Sequence, residues 1–211
     1  MFEIFYNHHK PLVFVGTTGL NKQLAESLDQ PVVVISLEEA KKKNKNWIDD
    51  HQFMCVTGDY NLKKQVTDYL SSYNASYFSM IGKNNLITPD VKIGKNTFIN
   101  NYNDLLGAPL TIGDHVIISC FCQLGRDVVI KDYCHISSYV YVNNCHVGEG
   151  TALGTRASVL GPKLSDNDTK HIAPMCNFLA NSVITKNITE TGTYFGNKRS
   201  NKLSREQYRI I

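Results

Sequence analysis

The sequence predicts an α/β unit followed by an all-β column that turns a corner every six residues, a hexapeptide-type β-helix. Ile112, Ile118, Leu124, Ile130, Ile136 and Val142 recur without a gap at a spacing of six, and the ladder resumes after a five-residue step at Val147, Leu153 and Val159. Four residues after most of them stands something small or β-branched: Val116, Cys122, Val128, Cys134, Val140, Thr151 and Ala157. A helix of period 3.6 cannot bring every sixth residue to one face, and an amphipathic strand alternates with period two. Three short flat strands per coil satisfy the spacing, and a narrow prism excludes bulk at the second inward position.

The α/β unit is expected over residues 1–85. Residues 11–15 (PLVFV) read as a buried strand, followed by the turn Gly16-Thr17-Thr18-Gly19 and a helically spaced stretch over 20–28. Residues 31–36 (PVVVIS) and 52–57 read as two further strands, the latter ending at Gly58-Asp59. Residues 61–73 form an amphipathic helix with Leu62, Val66, Tyr69 and Leu70 on one side, and residues 75–81 a fourth strand. Alternating strands and helices give a small parallel sheet whose ligands sit at the carboxyl ends of its strands. Those ends are the Gly16 loop, the segment around Ser36 to Glu39 that includes Glu38, and the Gly58 loop. A glycine-rich turn into a helix can cradle phosphate, or can be a tight turn and nothing more. Gly16 to Gly19 lacks the full dinucleotide fingerprint, so no nicotinamide cofactor is expected.

The periodicity changes over residues 83–89, and the column is expected over 86–198. Ile93-Gly94, Thr97 and Ile99 begin its register, and residues 100–110 slip it by one and bulge. The repeat lapses after Leu160-Gly161-Pro162 into a polar loop over 163–170. One more coil follows, with Leu179-Ala180 and, four residues after Leu179, Val183. Residues 199–211 are basic and polar, a tail or a short helix.

Composition narrows the partners. A net charge of +3, from 22 basic and 19 acidic residues spread evenly, argues against nucleic acid, and the run Lys41-Lys42-Lys43-Asn44-Lys45 reads as a solvated loop or helix end. No signal-peptide pattern and no membrane-length apolar run is read, so the six cysteines are expected to be reduced, mostly buried small hydrophobes in a cytoplasmic protein. Cys122 and Cys134 fill inward repeat positions, and Cys145 does too if the register is counted back from Val147. Cys120-Phe121-Cys122 has no partner pair at metal-ligand spacing, and His8-His9 reads as exposed, so no metal is expected.

The layout resembles the bacterial sugar acyltransferases that join a small Rossmann-like nucleotide-sugar domain to a left-handed β-helix, the nucleotide-aminosugar N-acetyltransferase and sialic-acid O-acetyltransferase type. The resemblance rests on residues 53–58 before a basic helix, Ile87-Thr88-Pro89 at the join, the repeats from Ile112 to Leu160, residues 179–186 (LANSVITK) and residues 192–199 (GTYFGNKR). It implies a trimer with active sites between neighbouring prisms, acetyl-CoA as co-substrate, no metal, and transfer of acetyl to the amine of a nucleotide-linked aminosugar in surface-glycan biosynthesis. It places the nucleotide at Gly16, Thr17, Thr18, Gly19, Glu38 and Gly58. It places coenzyme A along the last coils, near Gly154, Ala180, Lys186, Gly196, Lys198 and Arg199.

The chain departs from the family pattern at the general base. That histidine position falls on Arg126, with Asp127 as its acidic neighbour, and arginine stays protonated near neutral pH. The downstream family histidine is present as His135, and Leu20-Asn21 stands where the family has further glycine and histidine. His135 is therefore the expected base, with Asp127 as orienter, Arg126 as a ligand contact or a surface ion pair, and His146 as a substitute base. His115 is read as structural or solvated, and His171 as a remote substrate contact. Two alternatives follow: a sugar O-acetyltransferase, or a trimeric binding or scaffold homologue impaired by Arg126.

Overall fold

In a computed structural model, residues 2–5, 9–161 and 169–200 are described. His8, residues 163–168 of the expected polar loop and residues 201–211 of the expected tail lie outside them. The chain opens with β1 (Phe2–Phe5), then β2 (Leu12–Val15), α1 (Gly19–Glu26), β3 (Val32–Ile35), α2 (Leu37–Ala40), α3 (Lys45–Asp49), β4 (Gln52–Met54), α4 (Tyr60–Ser71), β5 (Ser76–Tyr77) and β6 (Ser79–Gly82). β3, β2, β4 and β5 lie side by side, all parallel. Each helix starts on a side chain that accepts a backbone N–H: Thr18 for α1, Ser36 for α2, Asn44 for α3 and Asp59 for α4. At α2 the arrangement is a full capping box, because Glu39 reaches back to the Ser36 N–H at 2.7 Å. The basic run 41–45 is the joint between α2 and α3.

Beyond β6 the chain winds as a three-walled column. The first wall begins with β1 and β6 and continues through Phe98–Ile99, Ile117–Ile118, His135–Ile136, Ala152–Leu153 and Asn177–Phe178. The second wall stacks Leu86–Ile87, Asp104–Leu105, Gln123–Leu124, Tyr141–Val142, Ser158–Val159 and Val183–Ile184. The third stacks Lys92–Ile93, Leu110–Ile112, Val128–Ile130, Cys145–Val147 and Lys170–Ile172. The expected ladder lines the interior: all nine of its aliphatic residues are at most 1% exposed, and Val116, Cys122, Val128, Cys134, Val140, Cys145, Thr151 and Ala157 are buried beside them. Every coil pairs with the next in parallel register, so the backbone groups of two-residue strands are satisfied along the axis.

Four expectations need correction. The stretch 75–81 splits: β5 joins the parallel sheet, whereas β6 joins the column and pairs with β1 antiparallel. The last coil runs one residue earlier than Leu179 and Val183 suggest. Phe178 and Ile184 point inward, Val183 is 48% exposed, and the Phe178 ring stacks on Tyr194 at 5.3 Å to fill the column's end. Arg199 and Ser200 are strand, not tail or helix, because Lys198–Ser200 folds back antiparallel on Thr193–Phe195. The slip over 100–110 is confined to its end: Leu105 keeps the six-residue step from Ile99, and the extra residue falls within 106–109, where Gly107 lies backbone against backbone on Gly125. The antiparallel additions β1 and Lys198–Ser200 cover both edges of the first wall.

The α/β unit rests on the outside of that first wall. Phe98 and Ile117 point outward and are buried with Leu12, Phe14, Leu24, Met54, Val56, Phe78 and Met80. Phe2 meets Phe98 at a ring distance of 5.5 Å. The next outward residue along the wall is His135.

Substituting Gly107→Ala is expected to destabilise the protein by about 1–3 kcal/mol or more, since a Cβ there overlaps the Gly125 carbonyl and the coils must part. Urea unfolding of the variant against the parent checks this.

Candidate active site

The loops at the carboxyl ends of β2 and β4 are tied together by one buried amide. Asn21 Nδ2 donates to the Gly16 carbonyl at 2.8 Å, and Asn21 Oδ1 accepts the Val56 N–H at 3.2 Å. Gly16 turns there with φ +118° and its N–H donates to the Ile35 carbonyl at 2.8 Å. Thr17 and Gly19 are exposed and Thr18 is half-buried as the α1 cap, so the outer surface of the turn is open. Glu38 is exposed and held by Lys41 at 2.8 Å, and this hydrogen bond keeps its carboxyl below the usual range.

The Gly58 loop meets the column. A Cβ on Gly58 would stand 2.9 Å from His135 Nδ1, so the imidazole edge lies against the glycine backbone of its own chain. Next to this contact, α4 is fixed to one corner of the column. That corner consists of Asn96, His115, Tyr133, Gly150 and Met175, each with positive φ and each three residues after an aliphatic of the third wall. Lys63, 1% exposed, donates from Nζ to the His115 carbonyl at 3.0 Å. Thr67 Oγ1 donates to the Lys64 carbonyl at 3.1 Å and therefore accepts from the Tyr133 hydroxyl at 3.0 Å. Tyr60 packs edge-on to Tyr133, with ring centroids 5.7 Å apart.

His115 is structural. Asn96 Oδ1 accepts the Cys55 N–H at 3.0 Å, which leaves Asn96 Nδ2 to donate to His115 Nδ1 at 2.7 Å and puts the imidazole proton on Nε2. The ring stacks on Tyr133 at 4.7 Å. Burial, reinforced by the Lys63, Lys95 and Lys64 charges, pushes its pKa down from 6.5 to about 3.

The residues expected to share one catalytic centre divide in two within the chain. Arg126 and Asp127 stand at the corner between the second and third walls, with Arg126 Nε 3.8 Å from the Asp127 carboxylate. His135 stands on the first wall, with the third wall between them, so Asp127 does not orient His135 of the same chain. His146 stands on the outside of the third wall, where its ring meets that of His171 at 4.9 Å. Burial, then His171 and Lys131, lower the His146 pKa against the opposing pull of Asp127.

The residues expected along coenzyme A gather in the last coils. Gly154 lies against the Phe178 carbonyl and the Ala180 N–H, and Gly196 makes the hairpin turn with φ +59°. Ala180, Lys186 and Lys198 are exposed, whereas Arg199 is paired to Glu190 at 2.7 Å. Among the described residues no cluster of three or more His, Cys, Asp or Glu could hold a metal, and no helix is long and apolar enough to cross a membrane. Described cysteines are free thiols; five are buried, and burial pushes Cys55, Cys122 and Cys145 up to about 12.

Asn21, Lys63, Thr67, Asn96 and Tyr133 are missing from the residues expected from sequence. Lys63 and Thr67 form a polar i, i+4 stripe beside the apolar stripe of α4, and the corner positions follow from the ladder by adding three. Both signals are present in the sequence and point nowhere until the two folds are docked.

Residues 109–144 match the family described as bacterial transferase hexapeptide (six repeats). Solved structures extend the likeness to both folds, and at their low identities they establish the left-handed β-helix architecture with its α/β unit. The acetyltransferase domain of PglB from Neisseria gonorrhoeae FA1090, in complex with acetyl coenzyme A, is 17% identical over 91% of this chain and 98% of that one, with a TM-score of 0.74. A histidine-to-alanine mutant of GDP-perosamine N-acetyl transferase from Caulobacter crescentus, in complex with CoA and GDP-perosamine, is 17% identical over 94% of this chain and 98% of that one, with a TM-score of 0.73. WeeI from Acinetobacter baumannii AYE is 13% identical over 90% and 99%, with a TM-score of 0.56.

Neutral His115 makes acid unfolding steeper. Between about 3 and 6.5 the unfolded chain holds a proton on this residue that the folded chain does not, so stability rises with pH across that window and is lost as pH falls through it. His115→Gln is expected to flatten this limb, by up to about 1.4 kcal/mol per pH unit, in denaturant titrations from pH 7 to 4.

Proposed function

We propose that the protein is an acetyl-CoA-dependent acetyltransferase acting in the cytoplasm on the amine of a nucleotide-linked aminosugar, as a trimer, in surface-glycan biosynthesis. The observation that carries this reading is the contact of the Gly58 loop, at the carboxyl end of a nucleotide-type parallel sheet, with His135 on the column. Similar folds hold acetyl coenzyme A in one solved structure, and CoA with GDP-perosamine in another.

In the reaction, the amine nitrogen attacks the thioester carbonyl carbon, the C–N bond forms, the C–S bond breaks, and the thiolate of coenzyme A leaves. His135 takes the proton that the nitrogen loses, and backbone N–H groups at column corners stabilise the oxyanion. A free amine is a stronger nucleophile than a hydroxyl, so N-transfer tolerates Arg126 at the base position better than O-transfer does. Arg126 holds an anionic group of the ligand, with Asp127 and His146 beside it. Because the two clusters stand on different walls of one chain, the complete site forms where the Arg126 corner of one copy meets the Gly58–His135 seam of the next. Exposed Lys186 and Lys198 on the last coils face the phosphates of coenzyme A.

Arg126 favours one second reading, a trimeric binding or scaffold protein that has lost its base. Incubation with acetyl-CoA and a panel of UDP-, GDP- and dTDP-aminosugars, following free thiol, separates the two. Turnover is expected, lowered about 10²–10⁴-fold by His135→Ala. Binding without turnover would instead support the scaffold, and a large gain in Arg126→His would mark the arginine as a defect. Sedimentation is expected to give a trimer; a monomer that turns over would remove the between-copies site.

A further inference from the structure

We infer that Lys63 and Thr67 of α4 are positioning residues, which set the distance between the nucleotide-holding loops and His135. The inference rests on the acetyltransferase reading for its kinetic consequence and on geometry for the rest.

The helix begins where the site ends. Its cap is Asp59, next to Gly58, and Gly58 lies on His135. Along the same side of the helix, Tyr60 packs on Tyr133, Lys63 reaches the His115 carbonyl, and Thr67 accepts from the Tyr133 hydroxyl. Tyr133 is two residues before His135 on the same coil, and His115 is the corner residue of the preceding coil. The clamp therefore holds both the strand that carries His135 and its hydrogen-bonded neighbour.

The chemistry of the clamp resists sliding. A buried ammonium is tolerated only where its N–H groups are bonded, and it has one such carbonyl at 3.0 Å. The imidazole of His115 is neutral, its Nδ1 lone pair taken by Asn96, so it adds no positive charge of its own beside the Lys63 ammonium. Moving α4 by one residue along the column would separate Lys63 from the carbonyl and Thr67 from Tyr133 together. An apolar contact permits such a shift at little cost; two directional bonds do not. A stripe that only glued the folds together could be apolar, as the Phe98–Ile117 patch is.

The test uses the full chain. Thr67→Val removes the acceptor at constant shape, Thr67→Ser retains it, and Lys63→Met removes the buried charge. Steady-state rates are measured against both substrates, and histidine-¹⁵N spectra follow the titration of His135, assigned by its loss in His135→Gln. For Thr67→Val and Lys63→Met we expect kcat/KM for the nucleotide-sugar to fall about tenfold with KM for acetyl-CoA unchanged, and the His135 titration to move. Thr67→Ser is expected to restore both. If the folded Thr67→Val variant keeps the parental His135 titration, or if the variants lose only thermal stability, the positioning role is wrong. If the parent protein turns over no substrate, the acetyltransferase reading fails, and the His135 titration still decides whether α4 sets the seam.

Discussion

Parallel stacking of short coils governs this molecule. Most strands of the column are two or three residues long and could not persist alone, yet within each wall they are bonded on both sides by their equivalents one coil away. The inward aliphatic residue of each strand lands on the one below, so the interior is a continuous rod of side chains rather than a set of separate contacts. A shift of one residue in any coil would turn its inward residue out. The register that shields the rod therefore also fixes every outward and corner position.

The corners inherit that order and have been given different uses. One accepts the α/β unit through His115 and Tyr133. A second carries Tyr102, Phe121 and Tyr139 as an exposed stack of rings 5.2 and 5.0 Å apart, ended by Arg156 over Tyr139. The third presents Arg126 and Asp127, with His146 and His171 on the wall beside it. The rigid column thus displays three chemically distinct edges, and the α/β unit covers the first wall up to His135 and leaves that imidazole at the seam.

Much of this is legible without coordinates because the column is a local code. Ile112 through Val159 report their burial by spacing alone, since a neighbour eighteen residues away is also the neighbour in space. The helices that begin at Gly19 and after Gly58-Asp59 follow the turns the sequence marks, whereas the four-residue helix capped by Ser36 carries no such turn signal. Legibility weakens at the ends. Phe178 replaces an expected Leu179 because the six-residue spacing lapses after Leu160, and Ser79–Gly82 serves the column although its pattern suits a buried strand of either fold. In the candidate site, the Gly16 turn, the Gly58 loop and His135 were each visible as separate signals; the division of Asp127 from His135 was not.

The sequence by itself determined the column, the interior of each coil, the parallel sheet and the loops at its carboxyl ends, because those depend on contacts whose spacing along the chain is fixed. Only the tertiary structure decided which wall the α/β unit covers, that Lys63 and Thr67 face the column instead of solvent, and that Asp127 and His135 of one chain stand on different walls. Those outcomes arise from packing two bodies whose contacting residues lie far apart in the chain, 66 positions for Thr67 and Tyr133. No periodicity spans such a joint, so only docked surfaces reveal it.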